Sequence, residues 1–264
     1  MNDEAFLETI RQNPEDDAPR LVYADWLEEQ GDIRAEFLRL EVQWAHGKRA
    51  DVNAPISRRM EQLRAEIDPN WVAWVERTNR HLFFWSNALC EHYRQQSQIG
   101  QPLRFLAGGY NLHCLKDSQP ICIGDYIYPI RIQNCRIFVM ARMRVCEVTT
   151  PEAYLAVRPN DAHLIQPNGP GLIFYRSFRH IFVGEFGTNL RLDLPLPRPI
   201  VKRLRFKGLK QDFGPKYLDN GNVLHSGDLH GVLVLTAQSA VDIDRCMAHQ
   251  PFPDLPPAEA NLFG

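Results

Sequence analysis

The stretch that most constrains the fold lies near the N-terminus, where Asn13-Pro14-Glu15-Asp16-Asp17 leads into a run that stops at Gly31-Asp32. The spacing predicts a helix over Ala18 to Gln30. Asp16 or Asp17 is placed to accept the free amides of its first turn. Pro19 falls early, where its missing N–H removes no helical bond, and Gly31 suits the positive φ that ends a helix. Leu21, Val22, Trp26 and Leu27 recur at helical intervals and are expected to face inward, with Tyr23 on the flank. On either side, Asp3 to Gln12 carries Phe6, Leu7 and Ile10, and Ile33 to Ala45 carries Phe37, Leu38, Leu40 and Trp44. Three short helices are expected to pack around Phe6, Ile10, Leu21, Trp26, Phe37 and Leu40. A unit of this size buries little apolar surface alone.

The same residues carry a family resemblance. Phe6-Leu7 with Ile10, Asn13-Pro14, Asp17-Ala18-Pro19-Arg20-Leu21-Val22-Tyr23-Ala24-Asp25-Trp26-Leu27, Gly31-Asp32 and Arg34-Ala35-Glu36-Phe37-Leu38 together resemble the repeat-companion domain. That family is a short helical module of planctomycete and related bacterial proteins, often placed before leucine-rich repeats. The resemblance covers residues 3–44 and implies no established activity. No leucine-rich repeat follows it. Within it, Tyr23, Asp25, Trp26 and Arg34 are the candidate docking face for a protein partner.

Composition adds three bounds. A chain of 264 residues has room for a small module and a larger domain; the boundary is expected near 77, giving a helical module over 1–77 and a β-rich domain over 78–264. No apolar run approaches the roughly 20 residues needed to span a bilayer, and the acidic, amphipathic N-terminus does not resemble a secretory leader; a cytoplasmic protein is expected. Six cysteines at 90, 114, 122, 135, 146 and 246 form no CxxC pair, and Cys90, Cys122, Cys135 and Cys146 are expected as free, buried thiols. Charge is unevenly divided. Residues 1–74 hold 9 basic and 16 acidic side chains, net −7, and residues 75–264 hold 21 and 16, net +5. An acidic front and a basic back suit two modules and raise nucleic acid as a partner.

Along the first module, Gly47 to Pro55 reads as a loop, Ile56 to Ile67 as a helix and Trp71 to Arg77 as a short one. The pattern changes at His81. Strands are expected over His81 to Trp85, Pro102 to Phe105, Leu172 to Tyr175, His180 to Val183, Leu190 to Leu194 and Val201 to Phe206. Helices are expected over Ala88 to Gln96, Pro151 to Val157 and Ala240 to Ala248, with a loop over 158–171. Tyr126 to Ile132 and Arg136 to Val145, joined by the turn at Gln133-Asn134-Cys135, predict an antiparallel hairpin. The fold class is therefore α+β, a helical module before a β-rich domain. The turn at Gly124-Asp125, the strand through Tyr126 and Tyr128, and the returning Phe138 to Val145 with Arg142 resemble the PUA-like superfamily, which includes the ASCH and EVE domains. That likeness implies a small β-barrel with a cleft for RNA or for modified bases in DNA.

Three constellations bear on chemistry. Arg198, Lys202, Arg203, Arg205, Lys207 and Lys210 lie within 13 residues that contain no acid, and Arg131, Arg136, Arg142 and Arg144 lie on the hairpin. Alternation puts Arg203, Arg205 and Lys207 on one strand face, a row suited to phosphates. Trp85, Tyr110, Tyr126 and Tyr128 are candidate stacking platforms, and Asp125 a candidate acceptor for a base N–H. His225, Asp228 and His230 have the residue types of a metal site but no second ligand cluster. His113-Cys114 with Asp117 are adjacent, which is not how a nucleophile usually meets its base. No Gly-rich phosphate loop, GxSxG, HExxH or GxGxxG is present, so no cofactor and no catalytic residue is expected. Three readings remain: a non-catalytic nucleic-acid binder using Arg142, Arg203, Arg205, Lys207, Trp85, Asp125 and Tyr126; a protein-interaction module; or a metal-dependent hydrolase using His225, Asp228 and His230.

Overall fold

The structure, a computed structural model, describes residues 2–12, 16–46, 50–108, 121, 123–165, 180–208, 211–219, 221–223, 229 and 232–250. It divides into two compact units, Met1–Thr78 and Asn79–Gly264.

The first unit is helical: α1 (Asp3–Gln12), α2 (Ala18–Glu28), α3 (Arg34–His46), α4 (Ala50–Glu66) and α5 (Pro69–Val75). Its core gathers Phe6, Ile10, Tyr23, Leu27, Phe37 and Met60 with their neighbours. The face that α2 buries is not the expected one. Arg20, Tyr23, Ala24 and Leu27, spaced i, i+3, i+4 and i+7, turn inward. Leu21 and Val22 remain 39% and 56% exposed, and Trp26 is half-buried. The arginine is tolerated because its guanidinium finds carbonyl partners: Nε donates to Val75 O at 3.1 Å and Nη1 to Asp16 O at 3.1 Å. Its aliphatic stem then packs like an apolar side chain.

Both ends of α2 follow from backbone hydrogen bonding. Asp16 Oδ1 accepts from Ala18 N at 3.0 Å, whereas Asp17 makes no side-chain cap. Beyond the last turn, Gly31 adopts φ +68°, and the amides of Gly31 and Asp32 return to Glu28 O and Leu27 O, the pairing of a Schellman ending. The loop expected up to Pro55 is replaced by helix from Ala50. Pro55 is only the sixth residue of α4, so it forfeits a single helical bond near the helix start.

The second unit is built on a mixed seven-stranded sheet: β1 (Arg80–Phe84), β2 (Phe105–Gly108), β3 (Tyr126–Gln133), β4 (Arg136–Val139), β5 (Met143–Thr149), β6 (His180–Glu185) and β9 (Val232–Val234). Its order is β2-β6-β5-β3-β1-β9, with β4 paired to β3. The β1–β3 pair is parallel and the others are antiparallel. Among the described residues the path ends at β2 and β9, so the expected barrel is corrected to an open sheet. A separate two-stranded piece, β7 (Leu218–Asp219) with β8 (Asn222–Val223), is tied to the β3–β4 turn, where Val223 N donates to Cys135 O at 2.8 Å.

Strand β3 shows why the sheet runs both parallel and antiparallel. Tyr126, Tyr128 and Ile130 point to one core and Ile127 to the other, so both faces are buried and the strand reads as a continuous apolar run. Helices α9 (Arg198–Arg203) and α10 (Ala237–Met247) cover the first face through Ile200, Val201, Ala240 and Ile243. Helix α6 (Asn87–Gln95) covers the second through Cys90 and Tyr93. Helices α7 (Pro151–Val157) and α8 (Ala162–Ile165) close over β2 and β6 through Tyr154, Leu164 and Ile165.

The expected hairpin is present but broken. The ladder with β4 runs from Gln133↔Arg136 to Ile130↔Val139, and that with β5 resumes at Ile127↔Met143. Pro129, which supplies no amide to a ladder, falls at the change of partner. Both turn residues, Asn134 and Cys135, have positive φ, +50° and +60°, as a type I′ two-residue hairpin requires.

Three further expectations are corrected. Residues 201–203 are helix, because Pro197 and Pro199 set an N-terminal turn and Arg198–Arg203 continues it. Leu190 to Leu194 forms no strand and only flanks isolated bridges at Asn189 and Pro195. Residues 159–165 form a 3-10 turn and α8 rather than a loop. The strand expected over Leu172 to Tyr175 lies outside the described residues.

Candidate nucleic-acid interface

The site begins where α9 ends. Leu204 caps the helix with φ −56° and ψ 130°, which turns the chain into extended backbone. Phe206 then bridges both Phe213 and Leu235, exchanging two backbone bonds with Phe213 at 2.7 and 3.0 Å. Lys207 N donates to Val234 O at 2.8 Å. Extended backbone alternates its side chains. Leu204 and Phe206 therefore enter the core, and Arg205 and Lys207 stand exposed.

Two aromatic side chains missed by the sequence reading join them. Phe213 is 39% exposed, its ring centroid 5.5 Å from that of Phe206, and Tyr217 is 56% exposed. Gly214 lets the Arg205 side chain lie close against the backbone that follows Phe213. A Cβ there would lie 2.9 Å from Arg205 Nη1 and 3.1 Å from Leu204 O. Arg205 keeps its guanidinium folded back, donating to Lys202 O and Leu204 O. Lys202 and Lys216 are exposed on the same segment. Lys207 Nζ donates to Asn79 Oδ1 at 3.2 Å. Desolvation, with Arg80 close by, holds its pKa below the ordinary lysine value although the residue is exposed.

The other expected nucleic-acid residues are not available in this way. Trp85 is 1% exposed and packs 4.7 Å from Tyr93. Tyr126 is buried, with the Arg80 and Arg142 guanidinium carbons 5.8 and 5.5 Å from its ring centroid. Asp125 is buried against His81 at 2.8 Å and accepts from Asn79 N at 2.8 Å. Arg142 pairs with Asp244, whose carboxylate also accepts from Tyr128 Oη–H. Arg203 pairs with Asp242 at 2.7 Å. These groups hold α10 and the strand ends in place. Of the seven residues expected at the interface, Arg205 and Lys207 are exposed; Tyr110 and Lys210 lie outside the described residues.

The docking face is also redistributed. Tyr23 is fully buried, with Oη donating to Asp3 Oδ1 at 2.7 Å and accepting from Trp71 Nε1 at 3.0 Å. Arg34 bridges Asp3 and Asp32. Asp25 is exposed and pairs with Arg39.

His225, Asp228 and His230, and likewise His113, Cys114, Asp117 and Cys122, lie outside the described residues. Among the described residues no group of three or more His, Cys, Asp or Glu side chains is arranged to hold a metal. Burial pushes the thiols of Cys90 and Cys146 up to about 11 and that of Cys246 to about 12, which keeps them protonated and unreactive. Cys135 departs from expectation: it is exposed at the hairpin tip. No described helix is long and apolar enough to cross a membrane.

Comparison with family models finds no match to the chain. Comparisons with curated proteins and with solved structures likewise find none.

Proposed function

We propose that the protein binds single-stranded nucleic acid without chemically altering it, through the exposed side chains of Lys202, Arg205, Lys207, Phe213, Lys216 and Tyr217. The observation that carries this reading is the alternation that sends Leu204 and Phe206 into the core and leaves Arg205 and Lys207 outside, with Phe213, bridged to Phe206, and Tyr217 exposed further along the chain. Cationic groups track a phosphate backbone. Exposed rings offer faces on which any base stacks. Base capture passes from the buried Tyr126 and Trp85 to Phe213 and Tyr217. The helical unit enters this reading as a repeat-companion module that adds no catalysis. The setting is a reducing cytoplasm, in keeping with free Cys90, Cys135, Cys146 and Cys246.

The test is titration of the full chain with single- and double-stranded oligonucleotides, modified and unmodified, across a salt series. Single-stranded binding is expected to weaken linearly on a log–log salt plot. Replacing Arg205 and Lys207 together with alanine is expected to lower that slope by about 1.4, since each phosphate contact on a single strand contributes about 0.7. Tyr217→Ala is expected to cost about 1–3 kcal/mol of binding with little change in slope. Salt-independent binding, or none, overturns the proposal.

A further inference from the structure

The cations of the proposed interface continue along α9, beyond the residues already placed in it. Arg198 and Lys202 are four residues apart on that helix, so they project from one side of it, and both are exposed. The opposite side is committed to the fold. Ile200 and Val201 are buried there, and Arg203 turns to Asp242. Arg205 joins the row where the helix ends, because its Nη1 donates back to Lys202 O at 3.1 Å. Lys207 follows on the same side of the extended segment. The turn between β7 and β8 fixes the outer end of the row: a Cβ at Gly221 would lie 2.7 Å from Arg198 Cβ and 2.8 Å from Arg198 O.

Most of this charge is unanswered within the fold. Among the described residues, the side chains of Arg198 and Lys202 make no ion pair and no hydrogen bond. The Arg205 guanidinium is bonded only to the neutral carbonyls of Lys202 and Leu204. Lys207 is the member with acids close by, Asp125 and Asp212, so the excess positive charge lies toward α9. The spacing suits a polymer of phosphates. Four helical residues rise about 6 Å, and two extended residues span about 7 Å. The second of these contains as many backbone bonds as one nucleotide. No aromatic side chain occurs between residues 198 and 205, so this stretch offers phosphate contacts and no face on which a base can stack.

From this we infer that the exposed side of α9 is a phosphate track. The backbone of the bound strand leaves Arg205 and Lys207 and runs past Lys202 to Arg198, and its bases are not read there. The inference rests on the single-strand reading and adds the ligand class to it: a sugar–phosphate chain long enough to lay about four phosphates on the row, one to each cation. Arg198 is a binding residue of that site.

The experiment titrates the full chain, by fluorescence anisotropy, with single-stranded oligonucleotides from dinucleotide to octanucleotide. A second series extends a trinucleotide at either end with abasic residues. Affinity is expected to rise with length and to level off at about five nucleotides, the length that carries four phosphates. Abasic extension is expected to give the same rise. Arg198→Ala with Lys202→Ala is expected to lower the log–log salt slope for the octanucleotide by about 1.4, which over a fourfold change in salt is about sevenfold in affinity. Arg198→Lys is expected to keep the slope, because a phosphate contact needs the charge and not the guanidinium shape. Both side chains are exposed, so the thermal midpoints of these variants should match the parent's. A plateau already reached by the trinucleotide, an extension that gains affinity only when it carries bases, or a double variant with an unchanged slope overturns the inference, while binding through Arg205 and Lys207 stands. No binding at any length overturns the single-strand reading as well.

Discussion

Removing one oxygen from the helical unit tests the account of its core. Tyr23→Phe keeps the ring that stacks 4.7 Å from Phe6 but deletes the hydroxyl between Asp3 and Trp71. Burial pushes the Tyr23 phenol above its ordinary range, so it is a donor throughout the accessible pH scale. Its bond to the Asp3 carboxylate is charge-assisted and would contribute about 1.5–3 kcal/mol if dry. Because the Asp3 side chain is 44% exposed, solvent screening places the contribution at about 1 kcal/mol. The larger loss is the Trp71 indole N–H, left buried without its acceptor at about 1–3 kcal/mol. Together the substitution is expected to destabilise by about 2–4 kcal/mol. The assay is urea unfolding of the full chain, with hydrogen exchange of the α2 amides to locate the effect in this unit. Trp71→Phe removes the donor instead, so the double variant should fall short of the sum of the singles by about 1 kcal/mol or more. A Tyr23→Phe midpoint within about 0.5 kcal/mol of the parent refutes the idea that this hydroxyl organises the core.

Cys135→Gly should stabilise the second unit by about 0.5–1 kcal/mol, because glycine adopts the φ of +60° without strain; an unchanged or lowered thermal midpoint refutes the turn assignment. Acid should destabilise the first unit in a defined window. The His46 bond, with Arg77, holds Asp17 below its ordinary value, and the Arg34 bond does so for Asp32. Their folded pKa values therefore lie below the unfolded ones. The stability they add is complete above the unfolded value of about 4 and is lost as pH falls through the folded values. Replacing both with asparagine should flatten the urea midpoint below about pH 4; a profile parallel to the parent's counts against this origin.

Much of the secondary structure was legible because its signals are local. Thr150 and Thr236 accept the third amide of α7 and α10, and Gly31 ends α2 through its own φ. What failed depended on partners distant in sequence. Leu21 and Val22 outrank Arg20 and Tyr23 in apolarity, yet the latter pair is buried because Val75 O and Asp3 receive their polar ends. Hydropathy carries no record of those acceptors. The alternation assigned to 201–206 was right from Leu204 onward and wrong before it, since prolines at 197 and 199 favour a helical first turn there.

The site shows the same division more sharply. Arg203 and Arg205 are two residues apart and have the same side chain. Arg203 faces α10, where Asp242 receives it, and Arg205 faces outward. Arg142 is likewise answered by Asp244, two residues further along the same helix. A run of basic residues in a sequence is therefore two populations, and the acids that separate them lie 39 and 102 residues away. The arginines bound to α10 are coupled to folding, so their substitution changes stability and ligand binding together. Arg205 and Lys207 are exposed and make side-chain bonds only to nearby carbonyls and to Asn79, with no acidic partner on α10, so their substitution should change binding more than stability. If a nucleic-acid defect of Arg205→Ala is always accompanied by a matching loss of melting temperature, while Arg203→Ala leaves melting untouched, the assignment of the two populations is reversed and the interface lies on the α10 side of the sheet.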